Sequence, residues 1–304
     1  MISLNQSQQY CRRVVKNSKS SFGRAIAILP PVSQSAMESL YAFMRTIDDI
    51  ADSETLPPQE KKNRLEEIRQ QVLTPQEDFT PSYNNVELFN FVPAFLDAVE
   101  RFAIPQSCIT DVIEGMLFDS DFRPLNDVDE LKWYCHCVAG TVGLACVKIW
   151  GLKQGDISVE RAWGRIEGWI EQQAFAVQLT NILRDIKEDA LRGRVYIPVD
   201  VLRRYAWNPA LFMEQVQNNN FKQGEATDMI MDLVAMAEGN YLSSKLLDEY
   251  LSPRGQKSNR LIRRVYEAIL QKVRNCPDLV LARGVHLTRW EKVKLAFTEL
   301  LWKK

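Results

Sequence analysis

The sequence is poor in the residues that interrupt helices. Only 13 of its 304 residues are glycine and 13 are proline, and none of the prolines lies between Pro124 and Pro198. A strand-rich chain of this length would need more turn residues than these. The scarcity therefore predicts an all-α protein with long helices, and the chain is long enough to bury one large core.

The chain also lacks an excess of positive charge, since it has 38 basic and 39 acidic residues. This balance argues against a protein that binds nucleic acid. Two histidines, His136 and His286, argue against a Ser-His or zinc-His centre, and we interpret His136 as a packed residue. None of the six cysteines forms a CxxC pair and Met1–Arg13 is polar, so we expect reduced thiols and a cytoplasmic protein.

Long hydrophobic runs are missing as well. No uncharged apolar run reaches the roughly 18 residues that a transmembrane helix requires. The nearest candidate, Val138–Trp150, contains Lys148 and two glycines, so we predict a buried helix there. None of the segments that contain proline or glycine resembles a flexible linker, and we therefore expect one domain over residues 1–304.

What the sequence does contain is a short acidic pattern, an Asp followed by another Asp four residues later, inside helix-like segments. The first copy follows Pro30-Pro31, and Ser35 with Glu38 fits a capping box at a helix start. An apolar stripe at helical spacing then consists of Met37, Leu40, Tyr41, Met44 and Ala51. Asp48 and Asp52 continue this stripe, where core residues would be expected.

The second copy lies in AFAVQLTNILRDIKEDALRGRVYIP, where apolar residues enclose a narrow polar row. The row consists of Ala174, Gln178, Asn181, Asp185 and Asp189, at steps of three or four residues, so these side chains project from one line of a helix. The enclosing residues are Val177, Leu179, Ile182, Leu183 and Ile186. The pattern predicts a polar cavity lined by one side of a buried helix.

Paired carboxylates one helical turn apart suit Mg²⁺, which keeps water and takes its other ligands from phosphate groups. Two such helices facing each other would hold a diphosphate between several Mg²⁺ ions, and Arg or Lys would assist its departure. The competing interpretation is two ordinary solvated helix faces. Both copies lie on apolar or cavity-like stripes with an arginine nearby, which favours the metal site.

Four runs, in this order, resemble the squalene/phytoene synthase family. They are KSSFGRAIAILPP, LYAFMRTIDDIADS, YCHCVAGTVG and QLTNILRDIKEDALRGRVYIP, and IRRVYEAIL also fits near the C terminus. The resemblance implies an all-α, single-domain isoprenoid-synthase bundle around a deep central cavity. It also implies a prenyltransferase that joins two allylic prenyl diphosphates head to head through a cyclopropylcarbinyl diphosphate.

The same resemblance assigns roles to individual residues. Asp48 and Asp52 match the first metal-binding pair, and Asp185 and Asp189 match the second. Catalytic roles fall to Tyr134, Arg45 and Arg184. The matches to diphosphate-binding positions are Lys19, Ser20, Ser21, Arg45, Gln178, Asn181, Arg264 and Tyr266. The candidate cavity residues are Phe22, Ile26 and Tyr41.

Two features predict the product length. Ile26 has intermediate bulk and lies where the family has a residue that limits the cavity, and the run DDIAD resembles bacterial presqualene diphosphate synthases. Both favour two farnesyl diphosphates and a thirty-carbon product of the presqualene diphosphate or squalene type. The alternative is a phytoene synthase that uses two geranylgeranyl diphosphates. NADPH stays an open question, because no GxGxxG motif is present but reductive relatives do not use a Rossmann motif.

Other function classes fit less well. A class I terpene cyclase would carry one Asp-rich motif and typically an Asn/Ser/Glu motif, whereas this chain has two DxxxD copies. A non-enzymatic helical assembly factor related to the family would have lost its aspartates, and all four are present here.

The implied partners are the prenyl diphosphate substrates and other enzymes of squalene or carotenoid synthesis. The C-terminal segment TRWEKVKLAFTELLWKK is amphipathic and basic. It is open to two interpretations, as the last core helix or as a peripheral membrane contact for release of a lipid product.

Overall fold

The computed structural model describes residues 2–18, 22–76, 81–82, 86–153, 161–222, 224–288, 290–291 and 295. Helices account for nearly all regular structure in these ranges, where the β structure is limited to one isolated antiparallel bridge between Leu152 and Leu251. The predicted all-α class is therefore confirmed. No described helix combines the length and the apolar character that a membrane-spanning segment requires.

The helices follow one another along the whole chain. In order they are α1 (Leu4–Asn17), α2 (Phe22–Ala27), α3 (Pro31–Ala51), α4 (Pro58–Leu73), α5 (Val92–Arg101), α6 (Gln106–Ser120), α7 (Val128–Cys135) and α8 (Thr141–Trp150). They continue with α9 (Trp163–Leu191), α10 (Val199–Arg204), α11 (Pro209–Asn218), α12 (Thr227–Ser244), α13 (Pro253–Asn275) and α14 (Leu279–Ala282). Short 3₁₀ turns cover Val86–Phe89 and Lys245–Glu249, and a π-helical turn covers His136–Gly140.

These elements form two compact units. The first comprises Met1–Asp121, Thr141–Trp163 and Glu249–Asn259, and the second comprises Phe122–Gly140, Gly164–Asp248 and Arg260–Lys304. The expectation of one domain over residues 1–304 stays a prediction, and so does the deep central cavity.

Helix α3 is the centre of the first unit, where it contacts α1, α2, α4, α5, α6 and α8. Phe43 of α3 stacks on Phe95 of α5, with ring centroids 4.4 Å apart and planes 18° apart. Phe91 packs against both rings, and all three side chains are fully buried. Aromatic rings in this arrangement bury large apolar areas, which makes this cluster a main source of the unit's stability.

The predicted capping box at the start of α3 is wrong. The helix begins one turn earlier, at Pro31, after Pro30 in extended conformation. Proline suits the first helical position because its fixed φ is already helical and it has no N–H to satisfy. Ser35 and Glu38 therefore lie inside the helix, where Glu38 is only 3% exposed. Its carboxylate Oε2 accepts from Nε of Arg12 on α1 at 3.3 Å.

The buried face of α3 is also rotated from the predicted stripe. Its deepest residues include Phe43, Ile47 and Ile50, whereas Tyr41 and Met44 are half-buried. The larger side chains determine which face enters the core, since burying Phe and Ile removes more apolar area from water. The two aspartates that follow Tyr41 and Met44 thus lie at the edge of the core, rather than inside it.

Helix α9 is the long element of the second unit, with 29 residues. Its Thr180 Oγ1 lies 3.0 Å from the hydroxyl of Tyr241 on α12. Near its end, Lys187 Nζ donates to the carbonyl oxygen of Gln217 at 3.1 Å and to Oδ1 of Asn219 at 2.9 Å, which ties α9 to the C-terminal end of α11. The chain then reverses at Gly193, whose φ of 79° is readily adopted only without a Cβ.

All six cysteines carry free thiols, and five of them are buried. Burial raises the pKa of Cys11 and of Cys146 to about 12. Thiols of this kind stay protonated and unreactive at neutral pH, as the reduced state predicted from the sequence requires.

Candidate functional site

The first acidic pair lies at the C-terminal end of α3. Asp48 is half-exposed, with 49% of its side chain accessible, and Asp52 caps the helix by donating its N–H to the carbonyl oxygen of Asp48 at 2.9 Å. Arg45 Nη2 lies 2.6 Å from Oδ1 of Asp49, and its Nη1 lies 3.4 Å from Oδ2 of Asp48. The structure therefore places Arg45 and this acidic pair together on one exposed edge.

Both acidic pairs occupy the same position in their helices, close to the C-terminal end. Neither α3 nor α9 has a basic residue in its last turn. The helix dipole favours cations at this end and disfavours carboxylates. In α3 a cation comes from another helix, since Lys61 Nζ of α4 donates to the carbonyl oxygen of Ala51 at 2.9 Å. Each site thus combines carboxylate charge and carbonyl dipoles in a place that attracts positive ions.

The three candidate cavity residues belong to helices α2 and α3 of the first unit. The rings of Phe22 and Tyr41 are neighbours, with centroids 6.5 Å apart. Ile26 on α2 is 1% exposed and thus fully packed. Lys19, Ser20 and Ser21 lie outside the described residues.

Most of the polar row on α9 has the predicted exposure, although Ala174 is buried and the flanking Val177 is only half-buried. Gln178, Asn181, Asp185 and Asp189 are each partly exposed, whereas their neighbours Leu179, Ile182, Leu183 and Ile186 are buried. Asn181 Nδ2 donates to Oε1 of Gln178 at 3.2 Å. The amide oxygen of Asn181 is buried, and within the described part of the chain it accepts no hydrogen bond. A buried acceptor without a donor is costly, and a cation beside it would remove that penalty.

Asp185 already has a positive partner. Nε of Arg184 donates to its Oδ1 at 2.7 Å, and Nη2 donates to Oδ2. Burial lowers the pKa of the Arg184 guanidinium, but the hydrogen bond to Asp185 and the charges of Asp185, Tyr266 and Asp189 outweigh burial, so the pKa is raised overall. Arg184 is therefore a fixed positive charge next to the second acidic pair.

A small pocket lies beside Asp189. It is lined by Ile182, Ile186, Asp189, Arg194, Tyr196 and Phe212, among others. Tyr134 of α7 stacks on Tyr196, with centroids 5.0 Å apart and planes 24° apart, and Phe122 meets the edge of Tyr196 at the same distance. The structure thus connects Tyr134, through one aromatic neighbour, to the wall that carries Asp189.

Two adjacent arginines of α13 differ in burial. Arg264 is half-buried, as is Tyr266, whereas the adjacent Arg263 is 5% exposed. Nη1 of Arg263 donates to Oδ1 of Asp248 at 3.2 Å and to Oε1 of Gln173 at 3.3 Å. Sequence reasoning missed this network, because nothing in the local pattern distinguishes the two adjacent arginines.

His136 is not the packed residue that the sequence suggested. Its side chain is 42% exposed, and Nδ1 lies 2.9 Å from Oε1 of Glu171 on α9, whose side chain is 43% exposed. The contact with Glu171 explains the difference, because an imidazole that pairs with a partly exposed carboxylate keeps its polar edge near water. A signal was available in the sequence, since Glu171 lies three residues before Ala174 and extends the polar row by one turn.

The donor set fits Mg²⁺ better than a metal held by protein alone. Among the described residues, no group of three or more His, Cys, Asp and Glu side chains could hold a metal ion. Mg²⁺ does not need such a cage, because it prefers oxygen ligands and keeps water or phosphate in the remaining positions. The carboxylates of Asp185 and Asp189 and the unsatisfied oxygen of Asn181 are ligands of this type.

The chain is similar to known proteins over almost its full length. Phytoene synthase of Mycobacterium tuberculosis is 28% identical over 300 residues, which cover 99% of this chain and 92% of that protein. The 4,4'-diapophytoene synthase of Staphylococcus haemolyticus is 27% identical over 300 residues, which cover 97% of this chain and 96% of that protein. Presqualene diphosphate synthase of Rhodopseudomonas palustris is 34% identical over 188 residues, 61% of this chain and 60% of that protein.

Solved structures show the same fold. A dehydrosqualene synthase in complex with a ligand superimposes with a TM-score of 0.78 at 23% identity, over 98% of this chain and 96% of that one. A squalene synthase from Alicyclobacillus acidocaldarius gives a TM-score of 0.74 at 20% identity, over 92% and 96% of the two chains.

The family model of the squalene/phytoene synthases matches residues 15–291 of this chain. This range includes all four aspartates and most of both units. The chain therefore belongs to the squalene/phytoene synthase family of prenyltransferases, which condense prenyl diphosphates head to head.

Proposed function

We propose that this prenyltransferase condenses two farnesyl diphosphates head to head, with Mg²⁺, into a product of the presqualene diphosphate or squalene type. The observation that carries the metal requirement is the buried amide oxygen of Asn181. It lacks a donor, and it lies one turn before Asp185 on the same row. An ion held by the carboxylate of Asp185 would also satisfy this acceptor.

The two acidic pairs hold the metal ions in this proposal. Asp48 and Asp52 serve one site, and Asp185 and Asp189 serve the other with Asn181. Bound Mg²⁺ supplies positive charge that neutralises the diphosphate and stabilises it as it departs. Arg45 would contribute fixed charge beside the first pair and Arg184 beside the second, and Gln178, Arg264 and Tyr266 complete the proposed diphosphate-binding set.

Aromatic and apolar residues protect the carbocation. Tyr134 and Tyr196 stack beside the pocket that contains Asp189. Aromatic faces attract cations through their quadrupole. The buried neighbours of the polar row exclude water, which would otherwise quench the allylic cation.

The farnesyl substrate is supported by Ile26 and by relatives. Ile26 is fully packed and lies about one turn after Phe22 on α2. Presqualene diphosphate synthase is among the relatives with higher identity, 34%. The second candidate, condensation of two geranylgeranyl diphosphates, is favoured by the phytoene synthase that matches over 99% of this chain.

Incubation of the purified protein with Mg²⁺ and each diphosphate separately, with and without NADPH, tests the proposal. Mass spectrometry of the products should show a thirty-carbon product from farnesyl diphosphate, and activity should disappear in excess EDTA. Asp189→Asn should abolish turnover, whereas the matched control Glu188→Gln should not, since Glu188 is exposed and pairs with Arg192. Turnover that survives EDTA would refute the metal requirement, and preference for geranylgeranyl diphosphate would favour the second candidate.

A further inference from the structure

The contact between His136 and Glu171 belongs to the second unit and lies close to two elements of the site. His136 is the first residue of the π-helical turn, two positions after Tyr134. Glu171 lies on α9, on the same helix line as Gln178, Asn181 and the second acidic pair. The 2.9 Å contact between Nδ1 and Oε1 therefore joins the end of α7 to the start of the polar row.

Gly140, the last residue of the π-helical turn, makes room for this contact. A Cβ at this position would lie 2.6 Å from Oε2 and 2.9 Å from Oε1 of Glu171. The carboxylate therefore rests directly against the Gly140 backbone, and any larger residue would push it away. Because the displaced atoms are the end of a flexible side chain, such a substitution perturbs the contact more than the fold.

Tyr134 and His136 lie on nearly opposite sides of one turn. Residues two apart on an α-helix are separated by about 200° around its axis. Tyr134, 3% exposed, contacts Tyr196 on one side, and His136 contacts Glu171 on the other. Two contacts on opposite sides fix the rotation of this turn about the helix axis, and with it the direction of the tyrosine side chain.

We propose that Glu171 and His136 form a positioning pair that orients Tyr134 relative to the polar row of α9. This inference rests on the proposed function, in which Tyr134 acts on the substrate. Neither residue of the pair needs to contact the substrate. Small displacements of a catalytic group are sufficient to slow a reaction by about 100-fold, so a remote contact of this type affects turnover.

Two variants remove the contact and a third keeps it. Glu171→Ala deletes the carboxylate, Gly140→Ala displaces it, and Glu171→Gln keeps an oxygen that accepts from the imidazole. We expect the two alanine variants to lower kcat by about 10- to 100-fold with KM unchanged within about threefold. Glu171→Gln should retain most of the wild-type kcat. The matched control Glu167→Ala, one turn earlier on α9 and exposed, should behave as wild type.

A double-mutant comparison separates positioning from general damage. If Glu171 acts through Tyr134, Glu171→Ala should reduce kcat by less than about threefold in a Tyr134→Phe background, because coupled residues are not additive. Equal losses in both backgrounds, or unchanged kcat in both alanine variants, would overturn the proposal.

Near-ultraviolet circular dichroism gives a readout that does not depend on activity. Tyr134→Phe should change the tyrosine signal of the stack with Tyr196, and Glu171→Ala and Gly140→Ala should change it in the same direction. An unchanged spectrum in the alanine variants would refute the positioning pair, even if the wild type proved inactive on every prenyl diphosphate. That inactivity would refute the proposed function alone.

Discussion

Arg184 donates through Nε to Oδ1 of Asp185, its immediate neighbour on α9, over 2.7 Å. Adjacent residues on a helix point about 100° apart, so the guanidinium has to fold back across the helix surface to reach the carboxylate. Asp185 is thus neutralised by a residue of its own helix. A metal ion at Asp185 would compete with the Arg184 guanidinium for the carboxylate. The displaced guanidinium could then bind a diphosphate.

Removal of Arg184 should therefore separate metal binding from turnover. In Arg184→Gln we expect the free protein to bind Mg²⁺ more tightly, because the competing cation is gone. We expect kcat to fall by about 10²- to 10³-fold, because the departing diphosphate loses a fixed positive charge. Calorimetric Mg²⁺ titration and steady-state kinetics measure the two effects. Weaker Mg²⁺ binding in the variant would contradict competition between the two cations.

Substitutions in the two acidic pairs should differ in stability although both abolish turnover. Asp185→Asn leaves the largely buried Arg184 without its ionic partner, so we expect a loss of about 1–3 kcal/mol in unfolding free energy. Asp52→Asn removes a negative charge from a helix C terminus, where the dipole disfavours it, so we expect a smaller loss than in Asp185→Asn. Thermal unfolding without Mg²⁺ checks this, with unchanged far-ultraviolet circular dichroism as the control for the helical fold.

Ile26→Ala should change the substrate preference. A fully packed isoleucine replaced by alanine destabilises a core by about 2–5 kcal/mol. If Ile26 limits the prenyl chain, the ratio of kcat/KM for geranylgeranyl over farnesyl diphosphate should rise. Ile109→Ala, an equally buried isoleucine on α6, is the matched control: it should destabilise similarly without changing the ratio. A twofold change in this ratio corresponds to less than about 0.5 kcal/mol in activation free energy. A ratio that stays within about twofold of wild type would therefore exclude Ile26 as the length-determining residue.

Acid should weaken the segment that precedes α7. Glu130 accepts from Nη1 of Arg123 and from the backbone N–H of Asn126, both at 2.8 Å. The hydrogen bond from Arg123, followed by those from Asn126, lowers the pKa of Glu130 from 4.5 to about 2. A carboxyl whose folded-state pKa is depressed stabilises the fold above its unfolded-state pKa and loses that contribution as pH falls toward the folded-state value.

The difference in Tm between wild type and Glu130→Gln should therefore be constant above pH 5 or so and shrink between about pH 4.5 and 2. Thermal unfolding over this pH range measures it. Asp129→Asn is the control, because the side chain of Asp129 is 87% exposed and pairs with the exposed Lys132. A difference independent of pH would show that the charge of Glu130 does not act on stability.

Helical periodicity predicted the polar row on α9 because apolar residues flank it on both sides along the chain. The same reasoning missed the orientation of α3 by part of a turn, since the deciding partners Phe91 and Phe95 lie on a distant segment. The buried network of Arg263 could not be predicted from the sequence, because it depends on Asp248, which only tertiary structure brings close. The exposure of His136 was not predicted, because its partner Glu171 lies on a different helix.

Lys187 stands between the two aspartates of the second pair, yet it binds the end of α11. The segment from Asp185 to Asp189 therefore has two different faces, one with the proposed metal ligands and one that attaches a neighbouring helix. A descendant that had lost the reaction would still need Lys187 to fold. Similarity at that position is therefore evidence of shared architecture, whereas the proposed metal binding depends on the two aspartates.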